Sequence, residues 1–353
     1  MSSRNTSLYD AAEEAPTDWA EAQDALARDV VRHAAERVPE VRGRLERAGV
    51  PAEEISRVQD LTSIPVRPKD DVPDLQAADP PFGGMLAVPT SELKRIYVSP
   101  GPILDPEGPG SDFWHMAPAV WAAGFRPGDV VLNTFAYHLT PGGMMLDAGL
   151  RKVGCVVIPG GVGNSAGQIE ASLTTQAVGY TGTPQFLLSL LERASESGTP
   201  LGLERALVTG APFPPSLREA IESNHGIDAY ECYGTADAGL LGYQCSAKEG
   251  WHVAPGVVIE LLDPATEEPM TGGEPGQVVV TKPSTVYPLV RFGTGDLSAL
   301  LDAPCSCGRT TPRLAGFLGR VGEGVKVRGM FVHPRTLDRA LAPVDSVERY
   351  QAR

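Results

Sequence analysis

The sequence predicts an α/β protein, in which a mostly parallel sheet flanked by helices is followed by a smaller β-rich subdomain. Two observations carry this. Apolar runs alternate with helix-period segments from Val130 to Tyr233, and after residue 250 strand-like runs are separated by turns with Gly and Pro. Strand–helix alternation implies right-handed crossovers between parallel strands, with helices on both faces. Size agrees: 353 residues, 42% of them hydrophobic, suffice for one large domain or two modest ones.

The elements follow in order. Trp19, Ala22, Leu26, Val30 and His33 recur at helical spacing, so residues 17–48 are expected to form a helix, closed by Pro51. Residues 61–73, LTSIPVRPKDDVP, hold too many prolines for a helix and read as an irregular strap. Val130–Ala136, Cys155–Pro159, Val178–Thr183, Arg205–Gly210 and Ala229–Tyr233 are strand candidates, separated by helices near 142–153, 164–176, 185–197 and 215–224. Val257–Leu262, Gln277–Thr281 and Leu289–Phe292 are the strands of the β-rich part. A short basic stretch, Gly319–Pro334, leads to a helix start at Arg335. The division expected is a helical segment 1–60, an α/β core 61–250, a β-rich subdomain 251–318 and a closing segment 319–353.

Charge narrows the partners. A net charge of −14 repels nucleic acid and anionic membranes, so any phosphate ligand must be held by local basic side chains or backbone N–H groups. No long uncharged apolar run suggests a membrane span, and Met1–Asp10 lacks the basic start and apolar stretch of a secretory signal. Five cysteines, an odd number, argue for reduced thiols used as ligands or core residues, and for a cytoplasmic protein.

Five constellations could carry chemistry. Cys245 and His252 are spaced C-x6-H, and Cys305 and Cys307 C-x-C, with Gly250 and Gly308 beside them. Three thiolates and one imidazole would close a structural zinc site, yet the spacings equally suit two unrelated pairs in loops. Tyr233-Gly234-Thr235-Ala236-Asp237 follows a strand, an edge suited to a nucleotide or Mg²⁺, or to a plain turn. In Arg291–Asp296, RFGTGD, a Gly-flanked acid suits ribose hydroxyls but is also an ordinary turn. Gly319-Arg320 and Lys326-Val327-Arg328-Gly329 read as a strand with one basic face, or as a solvated edge. Tyr97–Pro102, YVSPGP, is a glycine turn in which two prolines remove N–H donors.

Their order is informative. Serine–glycine turn, YGTAD, TGD, then GR and K-x-R-G is the order of the acyl-adenylate-forming (AMP-binding) superfamily, and the chain resembles its phenylacetate–CoA ligase branch from about Leu61 to Pro334. IPVRPKDDV, GDVVLNTFAYHLTPGG, VTGAPFPPSLREAI, YECYGTADAG, YPLVRFGTGDLS, CSCGRT and GRVGEGVKVRGMFVHP carry the likeness. It implies an adenylate-forming fold that activates a carboxylic acid with ATP, releases pyrophosphate, and passes the acyl group to coenzyme A. Adenine is then expected beside Gly210, Ala211 and Pro212 and against Glu231, Cys232 and Tyr233, with Tyr233 stacking on the base or lining the wall. Thr235, after Gly234, would meet the α-phosphate, and Asp237 would help hold Mg²⁺ where the family has a glutamate. Asp296 would take the ribose hydroxyls, and Arg320 would support ribose or phosphate. Phe135, Tyr137, His138, Gly142 and Gly143 would line an acyl pocket suited to a flat aromatic acid. The family's matching cysteine cluster implies zinc at Cys245, His252, Cys305 and Cys307, and a homodimer is a family-based expectation.

Three departures stand out. The phosphate loop reads Ser99-Pro100-Gly101-Pro102-Ile103-Leu104, without the family's lysine. Gly322, followed by Glu323, occupies the place of the hinge aspartate. The lid that carries a further lysine has no room after Pro334, so the chain is expected to be a truncated form of a longer protein; as a natural end it would imply a severely reduced adenylation rate. These departures leave two alternatives to a CoA ligase: an adenylating enzyme that serves an amine or a carrier protein, and a nucleotide-binding homologue with little or no catalysis.

Overall fold

A computed structural model describes residues 8–10, 13, 19–99, 102–270, 273–322, 325–327 and 330–332, the last two stretches as backbone only. Helices α1 (Trp19–Arg37) and α2 (Pro39–Ala48) replace the single helix expected over 17–48. Val38 is extended (ψ 106°) because the residue before a proline is driven out of the helical region, and Pro39 then starts α2 at a position that needs no N–H donor. The strap contains β1 (Arg67–Pro68), a one-turn 3₁₀ segment Lys69–Asp71 and a short helix α3 (Val72–Ala78). A hairpin follows, β2 (Arg95–Ser99) against β3 (Ile103–Glu107), then α4 (Ala117–Ala122).

The α/β units come next: β4 (Val130–Asn133), α5 (Gly142–Val153), β5 (Val156–Pro159), α6 (Ser165–Thr174), β6 (Gly179–Gly182), α7 (Pro184–Glu196), β7 (Arg205–Val208), α8 (Pro215–His225) and β8 (Asp228–Thr235). Each lies within a few residues of its expected place. Strands β6 and β7 are buried at every position, as strands covered on both faces must be. Antiparallel strands then extend the sheet: β9 (Gly239–Tyr243), β10 (Trp251–Val253) and, after a second sheet, β14 (Leu300–Leu301) and β15 (Arg313–Leu314). The nine-stranded order is β14-β15-β10-β9-β8-β7-β6-β4-β5, with β5 to β8 parallel and the remainder antiparallel.

The second sheet is β11 (Val258–Leu262), β12 (Gly276–Lys282) and β13 (Leu289–Ser298), and β1 and β16 (Gly319–Arg320) both pair with the edge of β13 away from β12, one after the other along it. Helices α1 and α2 pack on it through Val258 and Val290. A hairpin of β17 (Val325–Val327) and β18 (Met330–Val332) follows. Among the described residues no helix is long and apolar enough to cross a membrane.

Strand order places the site. From β4 the chain crosses to β5 on one side and returns as β6 on the other, so β4 and β6 flank a topological switch point. Ligands of open α/β sheets bind outside the carboxyl ends of strands at such a point. The segments leaving those ends are 134–141 after β4, 183 after β6, 209–214 after β7 and the turn 235–238 after β8.

Candidate active site

Asn133, fully buried at the end of β4, organises the first of these segments. Its Nδ2 donates to the Tyr137 hydroxyl and to the Gly143 carbonyl, both at 2.8 Å, and its Oδ1 accepts from the Phe135 N–H at 3.3 Å. The Gly143 N–H in turn donates to Ala136 O at 2.9 Å. A Cβ on Gly143 would stand 2.5 Å from that same oxygen and 2.9 Å from the Tyr137 ring, so only glycine fits. Phe135 reaches the next segment: a Cβ on Gly210 would lie 3.3 Å from its ring. Gln185, in α7, donates to Pro212 O at 2.8 Å and ties the loop after β7 to the start of α7. Phe135, Tyr137, Gly142, Gly143 and the 210–212 loop are thus brought together. His138 is exposed beside Leu139, itself 71% exposed, and stands apart.

Strand β8 carries the next set of expected residues. Cys232 points into the core, where burial pushes its thiol up to about 12. Trp251 in β10 stacks on Tyr233, with centroids 5.1 Å apart and planes 17° apart, and donates from Nε1 to Glu231 at 3.3 Å. One face of the Tyr233 ring is therefore taken, which fits a wall residue better than a partner stacked on a base.

The Tyr233 hydroxyl donates to Asp296 Oδ2 at 3.0 Å and lies 3.2 Å from Thr294 Oγ1. The other Asp296 oxygen meets Arg320 Nε at 3.3 Å, across the β13–β16 pair that places residues 296 and 320 opposite each other. Burial raises the Asp296 pKa, and the bond from Tyr233 and the charge of Arg320 oppose that rise. The YGTAD and TGD segments, on different sheets, therefore share one hydrogen-bonded chain that ends in Arg320, whose side chain is 67% exposed.

Beyond Tyr233 the chain turns. The Thr235 hydroxyl accepts from the Ala238 N–H at 3.1 Å, which leaves its own proton to donate. Trp114 donates to Ala236 O at 3.2 Å, and buried Lys282, whose pKa burial pulls down to about 8, donates to Ala238 O. Asp237 has a fully buried side chain whose Oδ2 binds Lys69 Nζ at 2.5 Å. Beside it is Asp105 of β3, fully buried, its pKa raised first by desolvation and then by the Asp237 charge. Asp105 Oδ1, Asp105 Oδ2 and Asp237 Oδ1 have no hydrogen-bond partner. A cavity of about 710 Å³ reaches the same turn through Asp237 and Ala238, and Trp114, His115, Lys282 and Tyr287 also line it. None of the other expected nucleotide or acyl residues lines that cavity.

Lys69, Asp105, Asn133 and Trp251 were not singled out in the sequence. Lys69 does sit in the IPVRPKDDV string, and Asp105 is one residue past the phosphate loop Ser99–Leu104. Pro100 and Gly101 of that loop, Glu323, Arg328, Gly329 and everything after Val332 lie outside the described residues, and of Lys326 only the backbone is described.

The four cysteine–histidine ligands converge. Their ligand atoms all lie within 4.8 Å of one another, with Cys245 Sγ 3.5 Å from Cys305 Sγ and Cys307 Sγ 3.4 Å from His252 Nε2. Tetrahedral zinc with Zn–S near 2.3 Å needs edges of about 3.5–3.8 Å, which the Cys245–Cys305 and Cys307–His252 edges match, and three thiols with one imidazole are the donor types zinc takes. His252 Nδ1 lies 3.2 Å from Thr311 Oγ1, an outer-shell contact that aims Nε2 inward, and the Arg309 N–H donates to Cys307 Sγ at 3.4 Å. Hydrogen bonding from Cys245, from His252 and from the Arg309 N–H lowers the Cys307 pKa. Gly250 (φ 74°) and Gly308 (φ 85°) make the turns, and a Cβ on Gly250 would meet Leu314 O at 2.4 Å.

Known proteins resemble the chain in sequence and fold. The AMP-binding enzyme family matches residues 111–287. A phenylacetate–coenzyme A ligase of Thermus thermophilus is 30% identical over 340 residues, covering 92% of this chain and 75% of that protein. A phenylacetate–coenzyme A ligase of Aromatoleum evansii is 29% identical over 330 residues, 88% of this chain and 72% of its own. Among solved structures, an open form of 2-hydroxyisobutyryl-CoA ligase in complex with 2-HIB-AMP and CoA superposes with a TM-score of 0.87 at 28% identity, covering 95% of this chain and 83% of that one. By its matched segments, its coverage of these relatives and its fold, the chain belongs to the AMP-binding enzyme family.

Proposed function

We propose that the chain is the adenylating core of an AMP-forming acid–CoA ligase acting on a small, aromatic carboxylic acid. A carboxylate oxygen attacks the α-phosphorus of ATP, the α–β anhydride bond breaks and pyrophosphate leaves. The thiol sulfur of coenzyme A then attacks the acyl carbon, AMP departs, and the thiol proton is lost to solvent or the leaving phosphate. The Tyr233–Asp296 hydrogen bond carries this reading, because it joins the two segments expected to hold the phosphate and the ribose.

Each residue has a part. Asp296 accepts from the ribose hydroxyls while Tyr233 holds it in place, and Arg320, largely exposed, meets ribose or phosphate from the open side. Adenine sits by Gly210, Ala211 and Pro212 along β8. The free proton of Thr235 is offered to the α-phosphate. Phe135 and Tyr137, with the bare surface of Gly142 and Gly143, line the acyl pocket for a flat ring. Asp237, with a buried, unpartnered Oδ1, fits a hard cation such as Mg²⁺, which when bound would screen the phosphate charges. The cysteine–histidine set fits a structural zinc far along the chain from the acyl segment. The same reading makes the protein cytoplasmic, with five unpaired thiols, and by family analogy a homodimer.

The test is product analysis with ATP, Mg²⁺, coenzyme A and a panel of acids that includes phenylacetate, benzoate and a short hydroxy acid. AMP, pyrophosphate and a thioester are expected, with aromatic acids preferred. AMP formed without dependence on coenzyme A would assign the acyl group to an amine or a carrier protein. AMP binding with no turnover for any acid would leave only a nucleotide-binding homologue.

A further inference from the structure

We infer that Asp105 is a second carboxylate ligand of the divalent-cation site at Asp237, and that Lys69 is the counter-ion that fills the site's charge when no cation is present. The inference deepens the adenylation reading and rests on it. Three buried oxygens lack partners here, two on Asp105 and one on Asp237, and both side chains are closed to solvent. The two carboxyls are neighbours, close enough for the Asp237 charge to act on Asp105, and Ser99 is the other polar side chain beside Asp105. Buried carboxylates this close repel and are costly unless a cation or a proton sits between them. Lys69 neutralises one charge through a single oxygen of Asp237 at 2.5 Å, and the remaining three oxygens accept no hydrogen bond from it. Oxygen-only donors on a net negative pair suit Mg²⁺ or Mn²⁺, and they sit at the turn whose Thr235 faces the phosphates.

The two acids come from different structures. Asp237 is on the turn after β8, and Asp105 is on the hairpin strand β3, which Gln76 of α3 also holds through Leu104. The hairpin that carries the phosphate loop would thus be fastened to the phosphate turn by the ion itself.

Mn²⁺ serves as the probe, counted by the electron-spin signal of the free ion on zinc-loaded full chain without nucleotide. One Mn²⁺ beyond the zinc site is expected, and Asp105→Asn should weaken it at least tenfold. Should that variant fail to fold, the wild type still decides: Fe²⁺ bound in place of Mn²⁺, with ascorbate and peroxide, should cut the backbone near 103–106 and near 236–238. Unchanged Mn²⁺ affinity in a folded Asp105→Asn variant, no Mn²⁺ in the wild type, or cuts confined to 236–238 would overturn the inference. AMP calorimetry on the same samples separates the failures. AMP binding with Asp105 irrelevant to the metal defeats only this inference, whereas no AMP binding defeats the adenylation reading as well.

Discussion

Asp296→Asn separates binding from folding. The substitution keeps size and shape, and the amide oxygen can still accept from Tyr233 OH at the position of Oδ2. Its amide nitrogen would face Arg320, which can swing into solvent because its side chain is 67% exposed. Asp296 is buried but its cation lies in solvent, where it is screened, so the pair contributes about 1 kcal/mol and the unfolding midpoint should move little. Ribose binding should fare worse. A hydrogen bond to a charged acceptor is worth about 1.5–3 kcal/mol, which corresponds to a loss of AMP affinity of about 10- to 150-fold. The assay is a thermodynamic cycle by calorimetry, with AMP and 3′-deoxy-AMP on wild type and variant. Removing the hydroxyl should cost wild type a similar factor and cost the variant little, because the partner is already gone. Equal AMP affinity in both proteins, with unchanged stability, would refute the assignment of residue 296 to the ribose.

Other expectations follow from the same geometry. Cys305→Ser should remove close to one equivalent of zinc and lower the melting temperature while acid preference stays the same; metal analysis and a thermal scan read the first two, and the acid panel the third. Gly143→Ala should cost about 1–3 kcal/mol of overpacking at the acyl segment, seen as a raised KM for the acid with the Mn²⁺ stoichiometry unmoved. Lys69→Met should destabilise the protein more at pH 8 than at pH 5. The Asp105 pKa is already raised in the folded chain, so its stabilising share is full below the unfolded value and fades as pH rises toward about 7. Losing Lys69, whose charge opposes that rise, should extend the fade to higher pH, and urea midpoints at the two pH values check it.

What was legible followed local chemistry. The units from β4 to α8 each pair an apolar run with a helix of three- and four-residue spacing, such as Leu187, Leu190, Leu191 and Ala194 in α7, so their places show in sequence. The break at Pro39 was also available, because proline restricts the residue before it, but the periodicity runs through it and conceals it. The antiparallel extension was harder. Strand β10 is only three residues long and owes its place to β9 and β15, which lie on either side of it in sequence and far apart. The site shows the same division. YGTAD and TGD could be named as separate turns, but the bond between Tyr233 and Asp296 spans 63 residues and two sheets. Asp105 carried still less signal, since an acid between Leu104 and Pro106 looks like a surface strand until the fold encloses it.

Strand β8 explains why the site straddles two sheets. Its first half, Asp228–Glu231, pairs in parallel with β7, and its second half, Cys232–Thr235, pairs antiparallel with β9. Such a strand must run past the parallel edge where the other strands end, so its tip projects beyond the switch point. The register slips between Tyr233 and Gly234, where a Cβ on Gly234 would stand 2.7 Å from Gly239 O, and this close approach lets the chain fold back as a tight turn. Tyr233 is then held between Trp251 of its own sheet and Asp296 of the other. The turn beyond it is gripped by Lys69 from the strap and Lys282 from β12. A ligand that needs both Asp296 and the 235–237 turn can therefore form its contacts only while the two sheets keep their present spacing, so nucleotide binding should raise the unfolding midpoint of the whole chain in one cooperative step rather than that of either sheet alone.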